Sequence, residues 1–242
     1  MRWLPCALLL HSLCCFAAEA PRSGYDFLSE PNRALQDDEF ANPGMLWVEL
    51  GSVLFEEGCA QCHAAAKMRG VRLRYPAFDE RTGKLLGLEG RINRCREERM
   101  HAPALAWESQ EMLALTAWIG FASRGLVFDV APDARTQPFY DAGKAFYEQH
   151  RGQLDLACGH CHDRHPGDRL RGEVVSEGHI NGYPAYRHVW ETLGSSHRLF
   201  HWCNDAVRAE PYPAGADEYV NLEYYLEVRG RGLHVETPAV RR

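Results

Sequence analysis

The chain has 242 residues, 45% hydrophobic and 25% charged, ordinary proportions for a globular protein and enough chain for one large domain or two small ones. Its formal net charge of -6 leaves no global basic footprint, which excludes nucleic acid as an expected partner. The unusual part of the composition is 12 histidines and 9 cysteines.

In chain order, residues 1–20 read as an export signal. Arg2 supplies the positive start, Leu4 to Phe16 is largely apolar, and Ala17, Ala18 and Ala20 are small residues near a cleavage point. That run is too short to span a bilayer, which needs about 20 apolar residues. No later segment is apolar enough to cross a membrane, so a soluble periplasmic protein is expected. Cys6, Cys14 and Cys15 go with the signal. Residues 21–45 hold Pro, Asn, Asp and Gly without clear period and are expected to drape over the surface as an N-terminal extension.

A first domain is expected over 46–128. Gly51-Ser-Val-Leu-Phe-Glu opens it as a helix, Cys59-Ala-Gln-Cys62-His63 follows, and then comes a lone Cys95 among Arg91, Arg94, Arg96 and Arg99. A helix running from Glu111 to Leu126 closes it. Residues 129–138 are mostly polar with Pro132 and Pro138, the pattern of a linker. A second domain, 139–242, repeats the order. Gly143-Lys-Ala-Phe-Tyr-Glu stands before Cys158-Gly-His-Cys161-His162, with an extra stretch, His150 to Ala157, between them. Cys203 occupies the place of Cys95, and Glu218 to Leu233 matches the earlier closing helix in register. The fold expected is therefore all-α: two tandem cytochrome c-like haem domains related by internal duplication.

Cys-x-x-Cys-His is the signature of c-type haem attachment. Two cysteines three apart at a helix start reach the two vinyl groups of one porphyrin edge, and the next histidine lies beneath the iron. Two covalent haems are expected, one on Cys59 and Cys62 with His63 as axial ligand, the other on Cys158 and Cys161 with His162. A thioredoxin-like pair would not need the histidine, and a zinc site would need further ligands close by.

The ligand on the far side of each iron decides between electron transfer and chemistry. All 5 methionines lie in the first half, so the second iron has Cys203, His201, His197, His188 and His179 as candidates. A thiolate, a histidine, or a Cys95–Cys203 disulfide with neither thiol at iron all remain open. For the first iron, Met100 and His101 compete with Cys95. Arg198, Arg208, Arg229 and Arg231 surround Cys203 in sequence; most belong on solvated helix faces, yet a guanidinium fork suits a small oxyanion and favours a thiolate.

The stretch Cys203-Asn-Asp-Ala-Val-Arg208-Ala-Glu210-Pro-Tyr, with Glu218 to Arg229 and Glu236-Thr-Pro-Ala-Val-Arg-Arg, resembles the A subunit of the SoxAX sulfur-oxidation cytochromes, in its dihaem branch. The resemblance implies an L-cysteine S-thiosulfotransferase that joins thiosulfate to a cysteine of a SoxYZ-like carrier protein and passes two electrons to a monohaem SoxX-like partner. It implies Cys203 as active-site haem ligand, often persulfidated, Cys95 as ligand of the first haem, and Arg229 as an active-site arginine. A second arginine is implied a few residues before the cysteine, where Arg198 is the nearest match. The rival readings are a plain dihaem electron carrier and a dihaem peroxidase, the latter having no use for two repeated cysteines.

Overall fold

A computed structural model describes residues 20–170 and 172–242; the expected signal at 1–20 lies, but for Ala20, outside them. The scaffold is helical. After a 3-10 turn at Gly24–Phe27 come α1 (Glu30–Asp37) and α2 (Met45–Leu54), the latter widening into a π turn at Phe55–Cys59. Then come β1 (Ala77–Asp79), β2 (Lys84–Leu86), α3 (Leu88–Arg99) and α4 (Gln110–Ala122). The second half runs α5 (Gln137–Glu148), α6 (Cys158–His162), β3 (Arg169–Leu170), β4 (Glu173–Val174), β5 (Ala185–Arg187), β6 (Thr192–Gly194), α7 (Ser196–Ala206), α8 (Asp217–Arg229) and β7 (Ala239–Arg241).

Two helix pairs form the core, and a glycine sets each crossing. α2 packs on α4 so closely that a Cβ on Gly51 would sit 2.0 Å from the Ala114 carbonyl oxygen; α5 packs on α8 with Gly143 2.1 Å, by the same measure, from that of Asn221. Only glycine permits such backbone contact. α4 is apolar on most faces and buried from Met112 to Ala117, as a helix enclosed by its neighbours must be. Ser109 caps its start by accepting from Met112 N at 3.2 Å. Phe55 and Trp118 fill the first half, with ring centroids 4.2 Å apart; Phe146, Tyr219 and Tyr225 fill the second.

The all-α expectation is incomplete. The strands pair as β1–β2 and β3–β4 hairpins and as a three-stranded sheet, β6-β5-β7, in which β5 and β7 run parallel. Strands of two or three residues have no periodicity to read. They are nevertheless useful, because β1–β2 delivers the chain to the start of α3 and β5–β6 delivers it to α7.

The N-terminal extension also differs from expectation: it is tied in, not draped. Gln36 is buried, its Oε1 accepting from Val240 N at 3.0 Å and Arg241 Nη1 at 2.7 Å. Asn42 Nδ2 donates to Pro238 O at 2.9 Å. Unpaired backbone polar groups cannot be buried cheaply, and these amides satisfy the edge of β7. The tails after α4 and α8 meet as well, Phe128 N donating to Leu233 O at 2.9 Å.

Candidate functional site

α6 holds the second Cys-x-x-Cys-His. His162 Nδ1 lies 2.7 Å from Ser176 O, so Nδ1 is the donor and Nε2 keeps a free lone pair, the arrangement of a metal-binding imidazole oriented by a second hydrogen bond. The ring rests on Gly178, whose φ is +77° and where a Cβ would meet His162 Cγ at 2.7 Å. Burial keeps the imidazole below its usual pKa and hence neutral. All six described cysteines outside the signal are free thiols, Cys95 and Cys203 included; no bridge joins those two. Among the described residues, no group of three His, Cys, Asp or Glu could itself hold a metal ion. The donor set therefore fits a haem on Cys158 and Cys161, where the porphyrin supplies the remaining ligands.

Cys203 lies on α7, with Cys158 and Cys161 near enough for their charges to act on it. Burial first, and then Cys158, push its thiol up to about 12, and the Arg187 guanidinium opposes them. Arg187, on β5, is a functional candidate that sequence reasoning missed. Its side chain is 7% exposed, and its Nη2 donates to both oxygens of Glu173 at 2.6 and 2.8 Å. The guanidinium carbon sits 5.1 Å from the Trp190 ring centroid, and Nε is buried without an acceptor. Nothing in sequence spacing joins residue 187 to residue 203; the β5–β6 hairpin does.

Arg198 goes elsewhere. Its guanidinium lies over Trp190, 4.5 Å from the ring centroid, and Trp190 meets Trp202 edge to face at 6.0 Å. Five residues along a helix turn Arg198 about 140° from Cys203. Arg229, at the end of α8, stands on the imidazole side: Nη2 donates to Asp163 Oδ1 at 2.6 Å, Nη1 to Glu177 O. Tyr147 donates to the same Asp163 oxygen at 2.8 Å. Arg229 thus braces the residue after His162 and the loop that fixes its ring.

The histidine alternatives have other partners. His188 faces Asn32, His201 pairs with Asp205 at 3.1 Å, and His197 is stacked on Trp107. His179 is pushed down to about 4 by burial and by Arg229, beside Glu177. The extra stretch at 150–157 folds back onto the chain after α7, and a groove of about 500 Å³ opens between them, lined by His150, Arg151, Arg208 and Tyr212 among others. Arg208 takes φ +58° there, packed against Gly152, where a Cβ would meet Val207 O at 2.2 Å.

The first site is more open. Cys62 and His63 are exposed, and the Cys59 thiol is raised by burial and then by the neighbouring Cys95. Met100 Cε lies 2.9 Å from a Cβ on Gly58, so both Cys95 and Met100 stand beside this motif.

The chain resembles proteins of one kind along nearly its whole length. Residues 54–128 match the model of the SoxA/TsdA cytochrome c domain. The L-cysteine S-thiosulfotransferase subunit SoxA of Rhodovulum sulfidophilum is 38% identical over 229 residues, 91% of this chain and 80% of that one. That of Paracoccus pantotrophus is 35% identical over 227 residues, 90% and 78% of the two chains. The chain belongs to the SoxA family. A crystal structure of SoxXA from P. pantotrophus matches the SoxA-family fold seen here with a TM-score of 0.88 at 35% identity, covering 92% of this chain and 87% of the other. A SoxA/TsdA cytochrome c domain implies c-type haem, and Cys59, Cys62 and His63 lie inside the matched stretch. Among the described residues no helix is long and apolar enough to cross a membrane.

Proposed function

We propose that this chain is the SoxA subunit of a periplasmic L-cysteine S-thiosulfotransferase, exported by the signal at 1–20. It carries two haems, on Cys59/Cys62 with His63 and Cys95, and on Cys158/Cys161 with His162 and Cys203. The observation that carries the reading is the half-buried Cys203 thiol, on which the second cysteine pair and the charge of Arg187 both act. A monohaem SoxX-like cytochrome is the partner, as in the SoxXA structure it resembles, and a SoxYZ-like protein is the carrier.

Two domains, 46–128 and 139–242 joined by 129–138, arose by duplication on this reading. Its support is the recurrence of one plan: a helix whose glycine touches the closing helix, a Cys-x-x-Cys-His, a hairpin, and a cysteine-bearing helix. The stretch 150–157 is specific to the second copy.

The chemistry balances as follows. Cys203 thiolate and thiosulfate form a sulfur–sulfur bond, giving a cysteine S-thiosulfonate and releasing two electrons. A c-type haem held by Cys158, Cys161 and His162 would supply the one-electron acceptor through which the two electrons pass to the cytochrome partner. A carrier thiolate then attacks the sulfane sulfur bonded to Cys203, that bond breaks, the thiosulfonate passes to the carrier, and Cys203 returns as thiolate, an exchange of disulfide type. The guanidinium of Arg187, with an unused Nε–H, favours the thiolate and offers a donor to the anion. The arginine groove by Arg208 draws the dianion in, while Arg229 holds the His162 loop, and Arg198 packs on the Trp190 platform.

Cys203→Ala in the haem-loaded complex is expected to abolish thiosulfate conjugation to carrier while both haems stay covalently attached. Retained turnover would remove Cys203 from the reaction.

A further inference from the structure

The largest set of buried ionisable groups that this chemistry leaves unused lies where the two halves meet. Arg72 comes from a 3-10 turn of the first half and Glu89 from α3; His197 comes from α7, Glu223 and Glu227 from α8. Side-chain exposure is 5% for Arg72, 8% for Glu223 and 1% for both Glu227 and His197, and Glu89 is buried with them. Arg72 Nη1 donates to Glu227 and to Tyr75 O, while Nη2 is 3.7 Å from Glu223 Oε1. The Glu89 and Glu223 carboxyls converge over Gly87, where a Cβ would find Glu89 Oε2 at 3.7 Å and Glu223 Oε2 at 3.8 Å.

The charges in this seam do not balance. His197 Nδ1 accepts from Gly215 N at 3.0 Å, and its other ring nitrogen, Nε2, faces Glu223 Oε2 at 3.4 Å. Besides His197, Arg72 is the basic group that acts on Glu89. Lys84 is outside, paired with Asp217 at 2.5 Å, and the loop that carries Trp107 brings another carboxylate, Glu108, held by Ser195 N at 3.4 Å. Arg72 is left to face Glu89, Glu223 and Glu227, a net charge of 1 − 3 = −2 if every carboxyl is ionised and His197 is not. Uncompensated buried charge is strongly disfavoured. Arg72 touches Glu227 and Glu223 and makes no ion pair with Glu89.

We propose that this seam is a proton-binding site, with Glu89 as the group that carries the proton, and that its occupancy sets how tightly α3 and α7 are held together. Glu89 is the second residue of α3 and His197 the second of α7. Those helices bear Cys95 and Cys203 six residues further on, so the seam joins the supports of both cysteines. Burial, and then the charge of Glu223, push Glu89 up to about 7. The N-terminal end of α3 favours an anion at that place, which limits the rise.

The sign follows from linkage. A carboxyl whose folded pKa is above its unfolded value holds a proton in the fold that the unfolded chain has lost, so stability falls as pH rises from about 4.5 to about 7 through Glu89. It falls on toward about 8 through Glu227, which burial also raises although Arg72 opposes it. In the haem-loaded protein, melting temperature measured between about pH 5 and pH 8.5 is expected to decline across that window. With Glu89→Gln the decline is expected to shrink, the variant melting above wild type at pH 8 and level with it at pH 5. Parallel curves, or a variant less stable at pH 8, would overturn the proposal. Wild type alone gives a second readout: an infrared carbonyl band of a buried protonated carboxyl, present near pH 6 and lost by pH 9. Absence of that band at pH 6 would also overturn it.

Discussion

At the scale of single residues, the second site depends on how few freedoms its side chains keep. His162 is fixed by one carbonyl and one glycine: Ser176 O takes its Nδ1 proton, and Gly178 gives the ring its floor. Two arginines separated by their surroundings make opposite predictions. Arg187 is buried, acts on Cys203 and has an Nε–H to spare, whereas Arg198 lies over Trp190 on another face of α7. Steady-state kinetics with varied thiosulfate should show Arg187→Gln losing at least about tenfold in kcat/KM, equivalent to about 1.4 kcal/mol of transition-state stabilisation. Arg198→Gln should lose less than about threefold. The reverse ranking would return the substrate role to Arg198. The sequence could suggest Arg198 because it is near Cys203 along the chain. It could not suggest Arg187, whose proximity comes from a hairpin too short to leave a pattern. Both Cys-x-x-Cys-His units were legible from their spacing, whereas Cys95 and Cys203 stood out only as a repeated position whose role came from the family resemblance.

At the scale of elements, the helices were readable and the connections were not. Glu111 to Leu126 and Glu218 to Leu233 show helical periodicity, and the structure has α4 and α8 there, each starting one residue earlier and ending four residues sooner. Gly51 and Gly143 stand out only once the helices cross, since a glycine in a helix otherwise marks weakness. Alanine at Gly143 should destabilise the haem-loaded protein by about 1–3 kcal/mol through overpacking, because its methyl would meet the Asn221 carbonyl, a backbone atom that cannot turn aside. Alanine at Gly83, where nothing lies within 4 Å although φ is +67°, should cost only the backbone strain of about 1–2 kcal/mol. Chemical denaturation of the two variants checks the order, and a larger loss at Gly83 would contradict the packing account. The N-terminal extension was misread for a related reason: Gln36 and Asn42 look like surface residues until the last strand arrives to use their amides.

At the scale of the molecule, the two halves are held by more than a linker. The tails after α4 and α8 pair, and α1 is sewn to β7. Arg72 of the first half pairs with Glu227 and Glu223 of α8, and His197 of α7 and Glu89 of α3 are buried beside them. This matters for function because the two helices carrying Cys95 and Cys203 share one buried support, while the motifs themselves differ in exposure. His63 is exposed and His162 half-buried. The whole account turns on the sulfur of Cys203 reaching the second iron. The most direct measurement is the low-spin electron paramagnetic resonance spectrum of the oxidised, haem-loaded protein before and after Cys203→Ala. A compressed g-value set that disappears with the substitution is the predicted result. Spectra with the wide spread of His/His or His/Met ligation, unchanged by the substitution, would contradict it and leave a protein that only carries electrons.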